Sequence, residues 1–283
     1  MFDLTYARHD PAHVLAPGLF RSLGPNDRKR LKLDVTYVHG EDALQFTGFE
    51  PLGVDDLRIL QGLVAMAGKD GLWLKDEGDP SESARQLMLD LFTPPHELVL
   101  AGQKPDTLVV RNSFRRLARE IGMAESGQSI KIIRKSIERL FGVTIFVQTG
   151  KKRFATRLLS SYASDEGTGD LFVALNPRVT AAIMGDTQYI RIDLDEVRGL
   201  KTDPARLIHQ RLCGWIDMGR TAKVRIETLA EYAWPVAALT ESTVRKRRAK
   251  VRDAMQELRD IGWTVTEGKD GVCEIMRPRM IEG

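Results

Sequence analysis

Apolar positions recur along this chain at two periods, near 3.6 and near 2, and the switches between them divide it into elements. Over Val54 to Ala67 (VDDLRILQGLVAMA), Leu57, Leu60, Leu63, Val64 and Ala67 return every three or four residues, which predicts a strongly amphipathic helix. Thr107 to Val110 reads as a short strand. Ser113 to Ile121 (SFRRLAREI) reads as a helix stopped by Gly122. Ser129 to Phe141 (SIKIIRKSIERLF) reads as a second helix, stopped by Gly142, with Ile130, Ile133, Ile137 and Leu140 facing inward. Val143 to Gln148 and Phe154 to Leu159 then flank Thr149 to Arg153 as a hairpin.

The same order returns in the second half. Pro204 to Met218 carries Leu207, Ile208, Leu212, Trp215 and Ile216 on one face, and Asp203 with Pro204 is a helix start. Lys223 to Ile226 is a short strand. Ile226 to Trp234 is a helix with Ile226, Leu229 and Ala230 on one face, which Pro235 cannot continue. Val236 to Leu239 connect it to a helix opening at Thr240, whose Val244, Val251, Met255 and Leu258 share a face up to Gly262. Trp263 to Arg277 holds two alternating runs around Gly268 to Gly271, a hairpin signature.

Helix, strand, helix, turn, helix, hairpin is the order of a winged helix-turn-helix, met twice. The expected fold is α+β, with two tandem winged-helix domains and a basic recognition helix in each. Residues 1–30, with Pro11, Pro17 and Pro25 and little periodicity, are expected to be an arm that packs Leu15, Leu19 and Phe20 on a neighbour. Residues 31–176 form the first domain and 177–283 the second, with the boundary between Asn176 and about Lys201. Leu33 to Tyr37 and Ala43 to Thr47 are opening strands. Glu77 to Glu97, helical over Ser81 to Phe92, is an insertion. Ser164 to Asp170 is a turn, Leu171 to Leu175 a strand, and Asn176-Pro177 starts a helix to about Met184.

Charge sharpens this picture. Thr240 to Arg252 (TESTVRKRRAKVR) sets six basic residues against Glu241 alone. A helix apolar on one side and basic on the other suits a DNA groove: one side anchors it, the other meets phosphates and base edges. Projection assigns Ser242, Arg245, Lys246 and Ala249 to the groove, with Thr243 beside them, and Arg248, Lys250 and Arg252 to phosphates. Val244, Val251 and Met255 point inward. In the first unit Lys131, Lys135 and Arg139, spaced by four, make an outward stripe, and Lys151, Lys152 and Arg153 a basic wing tip. The plain alternative for each is a solvated charged face, and it is stronger for the first stripe, where Glu138 intervenes.

Of the 283 residues, 42% are hydrophobic, enough for real cores, and 29% are charged; the net charge is only +3. Clustering of the basic residues matters more here than the total. No apolar run approaches the ~18 residues of a membrane span, and MFDLTYARHD lacks a secretory pattern. Cys213 and Cys273 carry no motif, which fits a reduced bacterial cytoplasm. Catalytic patterns fail. Gly62 to Lys69 (GLVAMAGK) has five residues between its glycines, and Asp70 where a phosphate loop needs Ser or Thr. His209 and Cys213 share a helix face but have no second ligand pair. No paired histidines support Tyr162 or Tyr189 as a nucleophile. Trp73, Trp215, Trp234 and Trp263 read as core. Neither enzyme activity, metal nor cofactor is expected.

Several long words resemble the RepC replication initiators of IncQ-type plasmids. They are Ala7 to Phe20 (ARHDPAHVLAPGLF), Lys32 to Tyr37 (KLDVTY), Pro51 to Gly68 (PLGVDDLRILQGLVAMAG), Leu158 to Glu166 (LLSSYASDE), Val173 to Pro177 (VALNP), Leu207 to Asp217 (LIHQRLCGWID), and Arg245 to Val251 with Gly262 to Glu267 (RKRRAKV, GWTVTE). The resemblance fades over Met88 to Asp106. It implies a protein that binds directly repeated iterons in a plasmid origin and opens it, like the related iteron initiators RepE, pi and TrfA. It implies two winged-helix domains that touch DNA, a homodimer that associates through the first domain (31–176) in equilibrium with the monomer, and a separate helicase and primase as partners. Two other readings are a winged-helix transcriptional regulator or autorepressor and, from another class, a metal-dependent DNA nuclease.

Overall fold

A computed structural model describes residues 2–74, 107–165, 167–238 and 240–279. The insertion expected at Glu77 to Glu97 lies outside the described residues. The chain is mixed α+β and builds two hydrophobic cores.

The first thirty residues hold β1 (Tyr6–His9), α1 (Pro11–Leu15) and α2 (Asp27–Arg30). They do not form a free arm. Leu4, Ala7, Ala12, Val14, Ala16, Leu19 and Phe20 are all buried. The segment lacks periodicity because it is buried on several sides and faces no single core. It is an inner strap.

In the first core, β2 (Leu33–His39) and β3 (Asp42–Gly48) make a hairpin, and α3 (Val54–Asp70) follows. Twelve residues of α3 are buried, so its apolar stripe covers more than one side. Next come β4 (Leu72–Leu74), β5 (Thr107–Ser113), α4 (Phe114–Glu120) and α5 (Gly127–Phe141). Helix α5 starts ahead of its expected Ser129, because Ser126 caps it by accepting from the Ser129 amide. After it come β6 (Thr144–Thr149), β7 (Lys152–Arg157), β8 (Leu159–Ser164), β9 (Asp170–Leu175) and α6 (Pro177–Met184).

Two differences from the expected pattern matter. The hairpin is tighter than Thr149 to Arg153: Thr149 pairs with Lys152, leaving Gly150 and Lys151 as the loop. Gly150 takes φ +58°, the positive value a two-residue hairpin loop needs at its first position. The strand at Thr107 does not join this hairpin. The sheets run β2-β3-β6-β7 and β4-β5-β9-β8, both antiparallel.

The second core begins with β10 (Ile190–Asp193) and α7 (Leu194–Gly199), two elements the periodicity did not reveal. Helix α8 (Asp203–Cys213) is shorter than Pro204 to Met218, and Trp215 beyond its end is 39% exposed instead of core. Then follow β11 (Thr221–Arg225), α9 (Ile226–Ala233), α10 (Glu241–Asp260), β12 (Thr264–Glu267) and β13 (Val272–Met276). Here the early strand does join the hairpin, in the order β11-β13-β12. The two halves thus share an element order but not a sheet.

The strap couples the cores. β1 pairs antiparallel with β10, and the Ser22 amide donates to the Ala233 carbonyl at 2.9 Å. Buried Gln61 on α3 donates to Gln210 on α8 at 3.1 Å.

Candidate nucleic-acid interface

Helix α10 is fixed both at its N-terminus and along its buried face. Thr240 caps it, accepting from the Thr243 amide at 3.2 Å. Val251, Ala254, Met255 and Leu258 are buried against α8, α9 and β12. That anchoring lies in the second half of the helix, so the first two turns project. Ser242, Arg245, Lys246, Arg248, Ala249, Lys250 and Arg252 are exposed, and Thr243 is half-buried. Val244, expected inside, is also half-buried, in a groove beside Trp234 and Val236.

The basic residues are not equivalent. Arg245 and Lys246 make no ion pair among the described residues. Arg248 reaches Glu227 on α9 at 2.6 Å, and Arg252 reaches Glu267 on β12 at 2.8 Å. The hydrogen bond from Arg252 holds the Glu267 carboxyl below its ordinary range. Arg247 donates to the Val236 carbonyl at 2.6 Å and, with Lys250, lies over the Trp234 ring at 5.6 and 5.8 Å. Arg247 and Lys250 brace the turn before α10, and Arg248 and Arg252 tie the helix to α9 and β12. A phosphate would have to displace a carboxylate to engage Arg248 or Arg252. Lys269, exposed in the turn between β12 and β13, is a basic residue the sequence reading left out. Its signal was present, since it lies between the hairpin glycines.

In the first unit Lys131 and Lys135 are exposed on α5, and Lys151 and Lys152 are exposed at the hairpin tip. Arg139 does not belong with them. Its side chain is 11% exposed and pairs at 2.8 Å with Asp56, which is fully buried on α3. Asp56 also accepts from Arg28, from the Ser136 hydroxyl and from the Gly53 amide. A buried carboxylate needs such partners, and this requirement turns Arg139 inward. The spacing by four was right for the helix surface; sequence could not show the carboxylate waiting behind it. Arg153, one position past Lys152, is exposed as well, and its guanidinium carbon lies 5.2 Å from the centre of the Phe146 ring.

One cluster could be mistaken for a metal site. Glu196 on α7 joins His209 and Cys213, with His209 Nε2 at 2.6 Å from the carboxylate and 3.5 Å from the thiol. Burial alone would lower the His209 pKa, but Cys213 and Glu196 outweigh it and push it up to about 10. Nε2 is already committed to a hydrogen bond with Glu196, so the set reads as a buried ion pair.

Against this geometry, the sequence matches the family model for Replication protein C (RepC) over residues 1–279. The chain belongs to the RepC family. That places it among DNA replication proteins, with a role in replication initiation. No curated protein matches this RepC chain. Among solved structures it is similar to a selenomethionine crystal structure of domains 2 and 3 of RctB, with a TM-score of 0.59 at 13% identity over 95% of this chain and 99% of that one. A second crystal structure of RctB domains 2–3 gives 0.56 at 12% identity, over 94% and 95%. At such identities the likeness is one of fold, and it spans both cores. Among the described residues, no helix of the RepC chain is long and apolar enough to cross a membrane.

Proposed function

We propose that this chain reads directly repeated iterons in a plasmid origin as duplex DNA and promotes origin opening and helicase loading. Each half is then a winged-helix unit: α8, β11, α9, α10 and the β12–β13 hairpin in the second, and α3, α4, α5 and the β6–β7 hairpin in the first. On this reading the first unit runs past residue 176 to the end of α6, whose Val179 and Ile183 lie in the first core, and the second begins near β10. The carrying observation is the projecting start of α10, where Arg245 and Lys246 have no ion-pair partner among the described residues, on a helix whose other end is locked into a core. An arginine bidentate to guanine discriminates by about 1–3 kcal/mol. Ser242, Thr243 and Ala249 face the groove beside them, Lys250 adds charge, and Arg248 and Arg252 serve as phosphate contacts once exchanged from their carboxylates. Lys131, Lys135, Lys151 and Lys152 supply the first unit's phosphate contacts. The partners that go with this role are iteron duplex, the plasmid helicase and primase, and a second copy in a monomer–dimer equilibrium.

The test is a footprint and gel shift on an origin with direct repeats against a shuffled control, at about 150 mM salt, where non-specific binding is weak. Protection at the iteron period supports the proposal. Protection of a promoter palindrome alone would instead make the protein a regulator. Arg245→Ala with Lys246→Ala should abolish specific binding and leave the circular dichroism unchanged.

A further inference from the structure

The outer face of the β2-β3-β6-β7 sheet carries chemistry that duplex reading does not use. Along these strands Val35, Leu44, Phe46, Ile145 and Val147 turn into the core, so the alternate positions look out. Registers place Thr36, Gln45, Phe146 and Ala155 side by side across the four strands, with Val38, Ala43, Gln148 and Arg153 in the next row. This face is open: Val38 is 65% exposed, and Gln148 and Arg153 are exposed. A depression of about 200 Å³ lies there, lined by Thr36, Gln45, Phe146, Gln148 and Arg153. The edge strand β7 is exposed along Lys152 to Ala155 and again at Arg157.

An aromatic ring, a guanidinium beside it, two amide side chains and a basic edge are what a single-stranded nucleic acid requires. The ring stacks a base, and the cations follow the phosphates; the NH2 groups of Gln45 and Gln148 are held by Asp34 and the Gly150 carbonyl, which leaves their amide oxygens to accept from base edges. A duplex hides its base faces and would leave Phe146 unused. A second copy of this chain is a poor occupant, because Lys152, Arg153 and Arg157 on two β7 edges would repel. The acidic Asp34 lies on the far strand β2, bonded to Gln45 at 3.0 Å, so the polyanion's path runs over β3, β6 and β7.

We propose that this sheet face is a single-stranded DNA site, with a base stacked on Phe146 and its phosphate on Arg153. The proposal rests on the origin-opening reading for the source of the strand, and on the sheet alone for its chemistry.

The experiment is fluorescence anisotropy of the full chain with a labelled oligothymidylate, beside a gel shift on origin duplex. The wild type binds the oligothymidylate at about 150 mM salt, where weak electrostatic binding is suppressed. Phe146→Ala weakens this about 5- to 150-fold, the loss of one stacked base, and Phe146→Trp restores it. Arg153→Gln lowers the slope of log affinity on log salt by about 0.7. Duplex binding by Phe146→Ala stays at the wild-type level, which also reports an intact fold. A wild type that ignores the oligothymidylate, or a Phe146→Ala variant that binds it unchanged, overturns the proposal. Oligothymidylate binding that depends on Phe146, in a protein indifferent to origin duplex, would support this site and sink the iteron reading instead.

Discussion

Arg139→Ala separates a structural arginine from a DNA contact. In the fold Arg139 is paired with the buried Asp56, whose remaining partners are Arg28, Ser136 and the Gly53 amide. Removing one partner of a buried ion pair costs about 3–5 kcal/mol. Arg28 stays in place, so the lower end, about 3 kcal/mol, is expected. For a chain of this length each kcal/mol moves the melting temperature by about 2–4 °C, giving a drop of about 6–12 °C. Urea and thermal unfolding followed by circular dichroism would measure it. The salt dependence of duplex binding is the second readout. A lost phosphate contact would reduce the slope of log affinity on log salt by about 0.9; Arg139→Ala should leave it unchanged. Lys135→Ala should do the reverse, with stability within about 0.5 kcal/mol of wild type and a shallower slope. Unchanged stability together with a shallower slope for Arg139→Ala would refute the reasoning.

Further outcomes follow from other contacts. Glu227→Gln releases the exposed Arg248, an ion pair worth at most about 1 kcal/mol; duplex affinity should rise and its salt slope steepen by up to about 0.9, as gel shifts across salt would show. Burial, helped by His13, lowers the His9 pKa to about 3, and burial likewise lowers that of His13, whose charged neighbours are Asp10, Arg178 and His39. Both histidines resist protonation in the folded chain but accept it when unfolded. Stability is therefore expected to fall as pH drops below about 6.5, by up to about 1.4 kcal/mol per pH unit for each histidine. For His9 this loss should continue toward pH 3. Urea midpoints at stepped pH should show this slope, and a His9→Gln variant should show less of it. Leu258→Ala, in the fully buried face of α10, should destabilise by about 2–5 kcal/mol, which chemical unfolding would report.

Local signals carried much of the fold. The stripe in α3, the glycine stops after α4 and α5, and the Thr240 cap of α10 involve residues close in sequence, where propensity and periodicity act. The hairpins at Gly150 and Gly268 were legible for the same reason. At the candidate interface the basic start of α10 was visible as a charge run on an amphipathic helix. Sequence also sorted that helix into a buried and an exposed side, except at Val244, which lies where α10 leaves the core.

Pairing between distant segments was not legible. β5 was visible as a strand, but its choice of β4 and β9 over the nearby hairpin depends on which edges the whole sheet leaves free. The first thirty residues looked like an arm because periodicity registers burial on one face, and this strap is buried on several. Arg139 looked like a phosphate contact because its spacing fixes only its place on α5; the direction of its side chain was set by Asp56, 83 residues away. Thus the sequence by itself determined most of the helices and hairpins, the Thr240 cap and the basic start of α10. Only the tertiary structure decided which strands share a sheet and which cations are bound to carboxylates. The first set depends on neighbours within a few residues, the second on the burial of charge and backbone among segments far apart in the chain.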